Sequence, residues 1–386
     1  MPRIPIESNT ASTVMVNGRE LIAFSGCNYL GLGHHADVKA AVVRAMGSFG
    51  ITTSASRETS GNTLEHEKLE AELASFLGVE AAILMPEGYT ANLALAQALG
   101  SPAACKSDDV GVAVIDEKSH RSIRNAVEAA GFLVADYEHT NPADALKVIR
   151  RHAGDGRRVC LWTDGIFAAD GSIAPIPELL AALPNAQSSI IVDDCHGFCV
   201  LGNRGRGTCE HFGLRDPRII WTSTLAKGLG CYGGAIAGSR SLVDLVRFEA
   251  GIYKGTTPVP PILAHAAREA LRVIDREPGL VKSLEANVRR VRRGLAALGL
   301  PVEQTASPVM TFVLDTPQRM RAFYDQLMAG GIFIPLIDYP NGPAPLYFRL
   351  SVCAAHTQVQ IDHLLKTLES ALAATASLSC GSRTAG

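Results

Sequence analysis

The sequence predicts an α/β protein: a large domain on a mostly parallel seven-stranded sheet, followed by a small α+β C-terminal domain. Three observations carry this. Seven short apolar runs recur between about 63 and 245, most of them separated by helical segments. The runs are apolar on successive residues, as strands covered on both faces are. Beyond residue 300 the order changes to strand, helix, strand, strand, helix, which suits a separate small layer.

Asn62-Thr-Leu-Glu65 opens a helix whose Leu69, Leu73 and Phe76 share one face and which Gly78 closes. The seven runs are Ala81–Met85, Val110–Ile115, Phe132–Ala135, Val159–Thr163, Ile190–Val192, Ile219–Trp221 and Ala235–Ala237. Residues 242–300 read as helical with a break at Thr256-Thr-Pro-Val-Pro-Pro261, a long helix bridging the domains. There follow a strand at Val309–Val313, a helix at Gln318–Met328, strands at Ile332–Ile337 and Tyr347–Val352, and a helix at Gln358–Leu372. The expected division is an N-terminal segment 1–45, a cofactor-binding domain 46–250, the bridging helix and small domain 251–373, and an Ala/Ser/Gly-rich, disordered tail 374–386.

With 386 residues, 47% of them hydrophobic and 19% charged, the chain has the balance of a soluble protein with a large core. A net charge of −2 without a long basic run argues against nucleic acid as partner. No apolar stretch reaches membrane-span length and the first residues lack the pattern of a signal peptide, so a cytoplasmic location is expected. Nine scattered cysteines, with no Cys-x-x-Cys, predict free thiols and no metal site.

The chemistry concentrates at the ends of the apolar runs. Thr222-Ser-Thr-Leu-Ala-Lys227-Gly-Leu-Gly-Cys-Tyr-Gly-Gly234 sets one lysine among hydroxyl residues and glycines, and glycine lets a backbone approach a ligand closely. Upstream, Ile190-Ile-Val-Asp193-Asp-Cys-His196-Gly197 ends an apolar strand in two acids and a histidine. A lysine for a Schiff base and an acid for a pyridine nitrogen are what pyridoxal 5'-phosphate (PLP) requires. Neighbouring strand residues face opposite ways, so only one of Asp193 and Asp194 can serve the ring. His196 would reach the cofactor's phenolic oxygen, or be a turn histidine satisfied by backbone. His120, in Ile115-Asp-Glu-Lys-Ser-His120, either stacks on the cofactor or sits at a helix N-terminus near Asp116. Met85-Pro-Glu-Gly88-Tyr89 leads into a helix whose free N–H groups suit phosphate. Arg349 lies inside an apolar strand, where a bidentate grip on an amino-acid carboxylate or a structural ion pair would explain it.

Together these pieces resemble the α-oxoamine synthases, a branch of the fold-type I PLP-dependent transferases that includes 8-amino-7-oxononanoate synthase, serine palmitoyltransferase and 2-amino-3-ketobutyrate CoA ligase. The likeness runs from about Phe24 to Leu372: Asn28-Tyr-Leu-Gly-Leu32, Ser56-Arg57, Gly88-Tyr89-x-Ala-Asn92, Ser119-His120, Thr163-Asp-Gly-Ile-Phe167, Asp193-Asp-Cys-His196-Gly, Thr224-x-x-Lys227 and Arg349 keep the family's order and spacing. It implies that Lys227 holds the cofactor and moves a proton, that Asp193 pairs with the pyridine nitrogen, and that His120 stacks on the ring. It places Thr163 with His196 near the phenolic oxygen, and Gly88, Tyr89 and Thr224 at the phosphate, with Thr257 supplied by a second subunit. Arg349 and Asn28 are expected on the amino-acid substrate.

The resemblance implies a homodimer with shared sites. Its reaction would be the decarboxylative condensation of glycine, alanine or serine with an acyl-CoA, or a carrier-protein thioester, to an α-amino ketone, most like 8-amino-7-oxononanoate synthase. Serine palmitoyltransferase-like or 2-amino-3-ketobutyrate CoA ligase-like activity, another fold-type I reaction, and a non-catalytic partner subunit are the alternatives. The chain departs from the family at Cys27, where an Asn is usual, and at Phe167-Ala-Ala-Asp-Gly171, where Ser-Met is usual.

Overall fold

The computed structural model describes residues 4–105, 110–154, 157–185, 188–338 and 341–379. The chain enters through three short antiparallel strands, Ser8–Asn9 (β1), Thr13–Val16 (β2) and Arg19–Ala23 (β3). The helix Ala36–Phe49 follows, then Leu64–Leu77, ended by Gly78 in the left-handed region at φ 72°.

Seven strands then build the central sheet: Ala81–Met85 (β4), Val112–Asp116 (β5), Leu133–Tyr137 (β6), Val159–Asp164 (β7), Ser189–Asp193 (β8), Ile219–Thr224 (β9) and Gly234–Gly238 (β10). Their order is β4-β10-β9-β8-β7-β5-β6. Only β10 runs against its neighbours, β9 and β4; the other pairings are parallel. All residues of β4, β5, β7 and β10 are buried, which is why they read as unbroken apolar runs. Successive residues feed two cores. Trp162 and Ile191 pack with Leu95 and Ile123 on one face, and Leu161 and Val192 with Ile149 and Leu179 on the other.

The expected bridging helix is four helices: Arg240–Glu249, Gly251–Gly255, Pro261–Arg276 and Gly279–Ala297. Two breaks were unforeseen: one at Ala250, which takes an extended conformation, and one after Arg276, where Pro278, lacking an N–H, prevents the earlier helix from running on. The small layer contains Val309–Phe312 (β11), Ile332–Phe333 (β12), Leu336–Ile337 (β13) and Tyr347–Ser351 (β14), with helices Pro317–Ala329 and Gln358–Ala374. The single strand expected over Ile332–Ile337 is split at Pro335: β12 pairs with β3, whereas β13 pairs with β14 in the β11-β14-β13 sheet.

Strands β1 to β3 therefore share a sheet with β12 from the C-terminal part, and the helix Ala36–Phe49 runs across residue 45. Of the expected disordered tail, residue 374 ends a helix and Ala376–Ser379 form a 3-10 turn; residues 380–386 lie outside the described residues.

Candidate active site

The carboxyl ends of β4, β5, β7, β8 and β9 lie along one edge of the sheet, the edge where such folds bind ligands. A cavity of about 200 Å³ opens there. Its walls are Glu87, Gly88 and Tyr89 after β4; His120 and Ser122 after β5; Asp164 and Ala168 at the end of β7; Asp193, Cys195 and His196 at the end of β8; and Thr224 and Lys227 at the end of β9.

Lys227 projects from a turn that only glycines can make this tight. A Cβ on Gly228 would meet the Phe198 carbonyl oxygen at 2.3 Å, and Gly230 takes φ 68° against Gly33. The Lys227 Nζ lies 2.8 Å from His196 Nε2. His196 Nδ1 is in turn 2.6 Å from the hydroxyl of Tyr29, a buried side chain behind the cavity wall. Burial, followed by the charges of Lys227 and Arg349, pushes the His196 imidazole well below its ordinary pKa, so it is neutral.

The two acids of β8 part company as strand alternation demands. Asp193 faces the cavity, its Oδ2 accepting from Asn92 Nδ2 at 2.7 Å and its Oδ1 from the Cys195 N–H at 3.1 Å. Asp194 faces the other way and accepts from the Thr208 N–H, the Thr208 hydroxyl and Trp221 Nε1 at 2.9, 2.5 and 3.3 Å. Burial raises its pKa to about 6 despite those bonds.

The same alternation turns Thr163 away from the cavity. Its neighbour Asp164, the register partner of Asp193, lines the cavity, while Thr163 is fully buried and donates to the Asp164 carbonyl at 3.1 Å. Asp164 accepts the His120 backbone N–H at 2.8 Å. Its carboxyl is held well above the usual range by burial and then by the nearby charge of Asp193.

His120 is placed at a helix N-terminus and also on the cavity wall. It is the N-cap of the helix Arg121–Ala129, with Nδ1 2.7 Å from the Ser122 hydroxyl, and it lines the cavity, edge-on to Tyr89 at 6.4 Å. Burial lowers its pKa, so this imidazole too is neutral. Asp116 is occupied elsewhere, by His139 and the Thr140 N–H.

The residues fit PLP. Gly88 begins the helix Gly88–Leu99, whose first N–H groups have no intrahelical partner, beside the Thr224 hydroxyl. A Cβ on Gly88 would meet Thr224 Cβ at 2.9 Å and Cys195 Sγ at 3.3 Å, so this cradle is kept clear by glycine. A lysine, a carboxylate for a pyridinium and a flanking imidazole line the same space.

Arg349, on β14, lies outside this set but within its field: its charge acts on Tyr29, His120 and His196. Its Nε and Nη2 are buried without a hydrogen-bond partner among the described residues, so the structural ion pair considered for it is absent there.

Two expected residues are not brought to the cavity. Asn28 spends its amide locally, on His34 Nδ1 at 3.3 Å and the Gly33 N–H at 3.3 Å. Thr257 is exposed and away from the cavity of its own chain. Sequence reasoning assigned no role to Tyr29, Asn92, Ser122 or Asp164. The first two lay within motifs already singled out, and their partners are remote in the chain. Among the described residues no cluster of His, Cys, Asp and Glu is disposed to hold a metal ion, and no helix is long and apolar enough to cross a membrane.

The family model for aminotransferase class I and II matches residues 19–368. The 8-amino-7-oxononanoate synthase of Methylococcus capsulatus is 35% identical over 371 residues, covering 95% of this chain and 93% of the relative. That of Thioalkalivibrio sulfidiphilus is 34% identical over 366 residues, covering 94% and 91%. A variant serine palmitoyltransferase from S. paucimobilis, solved with PLP and myriocin bound, superposes with a TM-score of 0.90 at 25% identity, covering 97% of this chain and 93% of its own. The chain belongs to the class I and II aminotransferase family and, within it, to the PLP-dependent α-oxoamine synthases.

Proposed function

We propose that this chain joins a small amino acid to an acyl-CoA thioester, releasing CoA and CO₂ and leaving an α-amino ketone. The observation that carries the amino-acid half is Arg349, a half-buried side chain whose Nε and Nη2 are buried without a hydrogen-bond partner among the described residues, beside the lysine site. A carboxylate is the ligand whose geometry answers such a fork, through two parallel charge-assisted hydrogen bonds. Among the amino acids, alanine is favoured. The 8-amino-7-oxononanoate skeleton named for the relatives ends in the methyl-bearing aminomethine that alanine leaves after losing CO₂.

PLP, when bound, supplies the electron sink that stabilises negative charge at the amino acid's α-carbon. The protein's residues do the rest. Lys227 Nζ holds the cofactor and then, released, takes the α-proton. Asp193, fixed by Asn92 and the Cys195 N–H, keeps a proton on the pyridine nitrogen by charge pairing. Neutral His120 would flank the ring of the bound cofactor, and neutral His196 would offer a nitrogen to its phenolic oxygen. Gly88, Tyr89 and Thr224 hold the phosphate.

The working form is read as a homodimer with shared sites, in which Thr257, exposed on its own chain, serves the phosphate of a second copy. Eight free cysteines among the described residues accord with a reducing cytoplasm. The test is the visible absorbance of PLP-loaded protein titrated with glycine, alanine and serine in turn. Alanine is expected to perturb the spectrum at the lowest concentration. A spectrum blind to all three would overturn the reading.

A further inference from the structure

Tyr29 carries an interaction that no step above uses. Its hydroxyl is 2.6 Å from His196 Nδ1, and the other ring nitrogen faces Lys227 Nζ at 2.8 Å. The three side chains form one buried file: Tyr29 is 1% exposed and His196 4%. A neutral imidazole has one N–H and one lone pair, so whichever nitrogen accepts, the other donates.

In the unloaded chain an ammonium at Lys227 would donate to Nε2 and leave Nδ1–H towards Tyr29; once the cofactor takes up Nζ, the remaining surroundings decide which. Burial, and then the neighbouring Cys27, hold the Tyr29 phenol well above its ordinary pKa, so it keeps its proton. That proton has two neighbours able to take it, the Cys27 thiol and His196 Nδ1. Imidazole nitrogen is the far stronger acceptor. The titratable groups around the file are Cys27, Cys195, Lys227, His120 and Arg349, and no carboxylate figures among the causes acting on His196. Tyr29 also arrives on a segment tied to the small layer: the Ala354 N–H donates to the Tyr29 carbonyl at 2.7 Å, and the Ser351 N–H to the Phe24 carbonyl at 3.0 Å. Its position is thus fixed from the side of the molecule that carries Arg349.

We infer that Tyr29 is a positioning residue that sets the tautomer of His196: its O–H donates to Nδ1, leaving Nε2–H as the donor facing the cofactor's phenolic oxygen. This rests on the reading of Lys227 as the PLP lysine. A donor at that oxygen stabilises its anion, and the adjoining Lys227 nitrogen then gives up its proton at lower pH. Tyr29 acts through His196 and lies behind the cavity wall, so the phosphate grip and the Arg349 fork are untouched by its loss.

The experiment is a pH titration of the visible absorbance of PLP-loaded protein, comparing wild type, Tyr29→Phe and a chain with 3-fluorotyrosine at position 29. Tyr29→Phe keeps the ring and removes the donor, and its midpoint is expected to rise by roughly one pH unit or more. Fluorotyrosine keeps shape and bond while strengthening the donor, so its midpoint is expected to fall. It also keeps the test decisive if Tyr29→Phe folds poorly. Midpoints unchanged in the loaded fluorotyrosine chain, or shifted the same way in both variants, would overturn the role of Tyr29 alone. Failure of the wild-type chain to take up PLP would overturn the lysine assignment, and this inference with it.

Discussion

The two walls of the site differ in how completely the protein satisfies itself. On the wall at the carboxyl ends of the seven-stranded sheet, Asp193 accepts from Asn92 and the Cys195 N–H, Asp164 from the His120 N–H, and His196 lies between Tyr29 and Lys227. On the β14 side, Arg349 keeps Nε and Nη2 buried and without a hydrogen-bond partner among the described residues. Unpaired buried polar atoms are costly, and such a group persists where a ligand completes it. On the proposed assignment, the wall that would hold the cofactor is preorganised by protein–protein bonds, whereas the wall that carries Arg349 would be completed by the substrate.

Substitutions can break that contrast, in descending order of effect. Lys227→Ala removes the group that holds the cofactor and moves the proton, and turnover should be abolished while the fold persists by circular dichroism. Asp193→Asn keeps the shape but loses the charge. We expect kcat to fall by on the order of a hundred- to a thousandfold, by analogy with loss of one preorganised electrostatic contact. Arg349→Met acts on the other wall. The amino-acid KM should rise roughly ten- to a hundredfold, from loss of about 1.5–3 kcal/mol of charge-assisted bonding, with PLP affinity unchanged. A fall in PLP affinity of the same size would erase the distinction between the walls.

The smallest effect sharpens the picture of the preorganised wall. His139 Nδ1 bonds Asp116 Oδ1 at 2.8 Å, and its Nε2 lies 3.0 Å from the Ser172 hydroxyl and 3.3 Å from Asp170 Oδ2, tying the segment before His120 to the loop that carries Ala168. Burial alone would lower its pKa, but the bonds to Asp116 and Asp170 hold it at about 9. The folded pKa is raised, so the stability this contributes is fully present below about 6.5 and lost as pH rises through about 9. Melting temperatures measured across that window should fall for the wild type and change less for His139→Gln. Parallel curves would contradict the linkage.

Much of this was legible in the sequence, for identifiable reasons. Strands β4, β5, β7 and β10 announced themselves because strands buried on both faces are largely apolar, and Lys227 stood out among glycines that the tight turn requires. The choice between Asp193 and Asp194 was not legible from their own residues. Alternation says only that the two differ, and the partners that settle it, Asn92, Thr208 and Trp221, come from other elements. The same limit hid which of Thr163 and Asp164 faces the cavity; it is Asp164. The N-terminal strands gave no sign of joining β12, because a pairing between Ile22 and Ile332 leaves no local pattern. Pro335 and Pro278 were visible as residues, yet their effect as breaks depended on which sheet or helix lay on either side.

The most direct test of the account follows CO₂ from carboxyl-labelled alanine, incubated with PLP-loaded protein with and without a panel of acyl-CoA thioesters. The account predicts that label is released only when a thioester is present, in step with free CoA, and that Lys227→Ala releases none. Release independent of the thioester, or undiminished in Lys227→Ala, would contradict it.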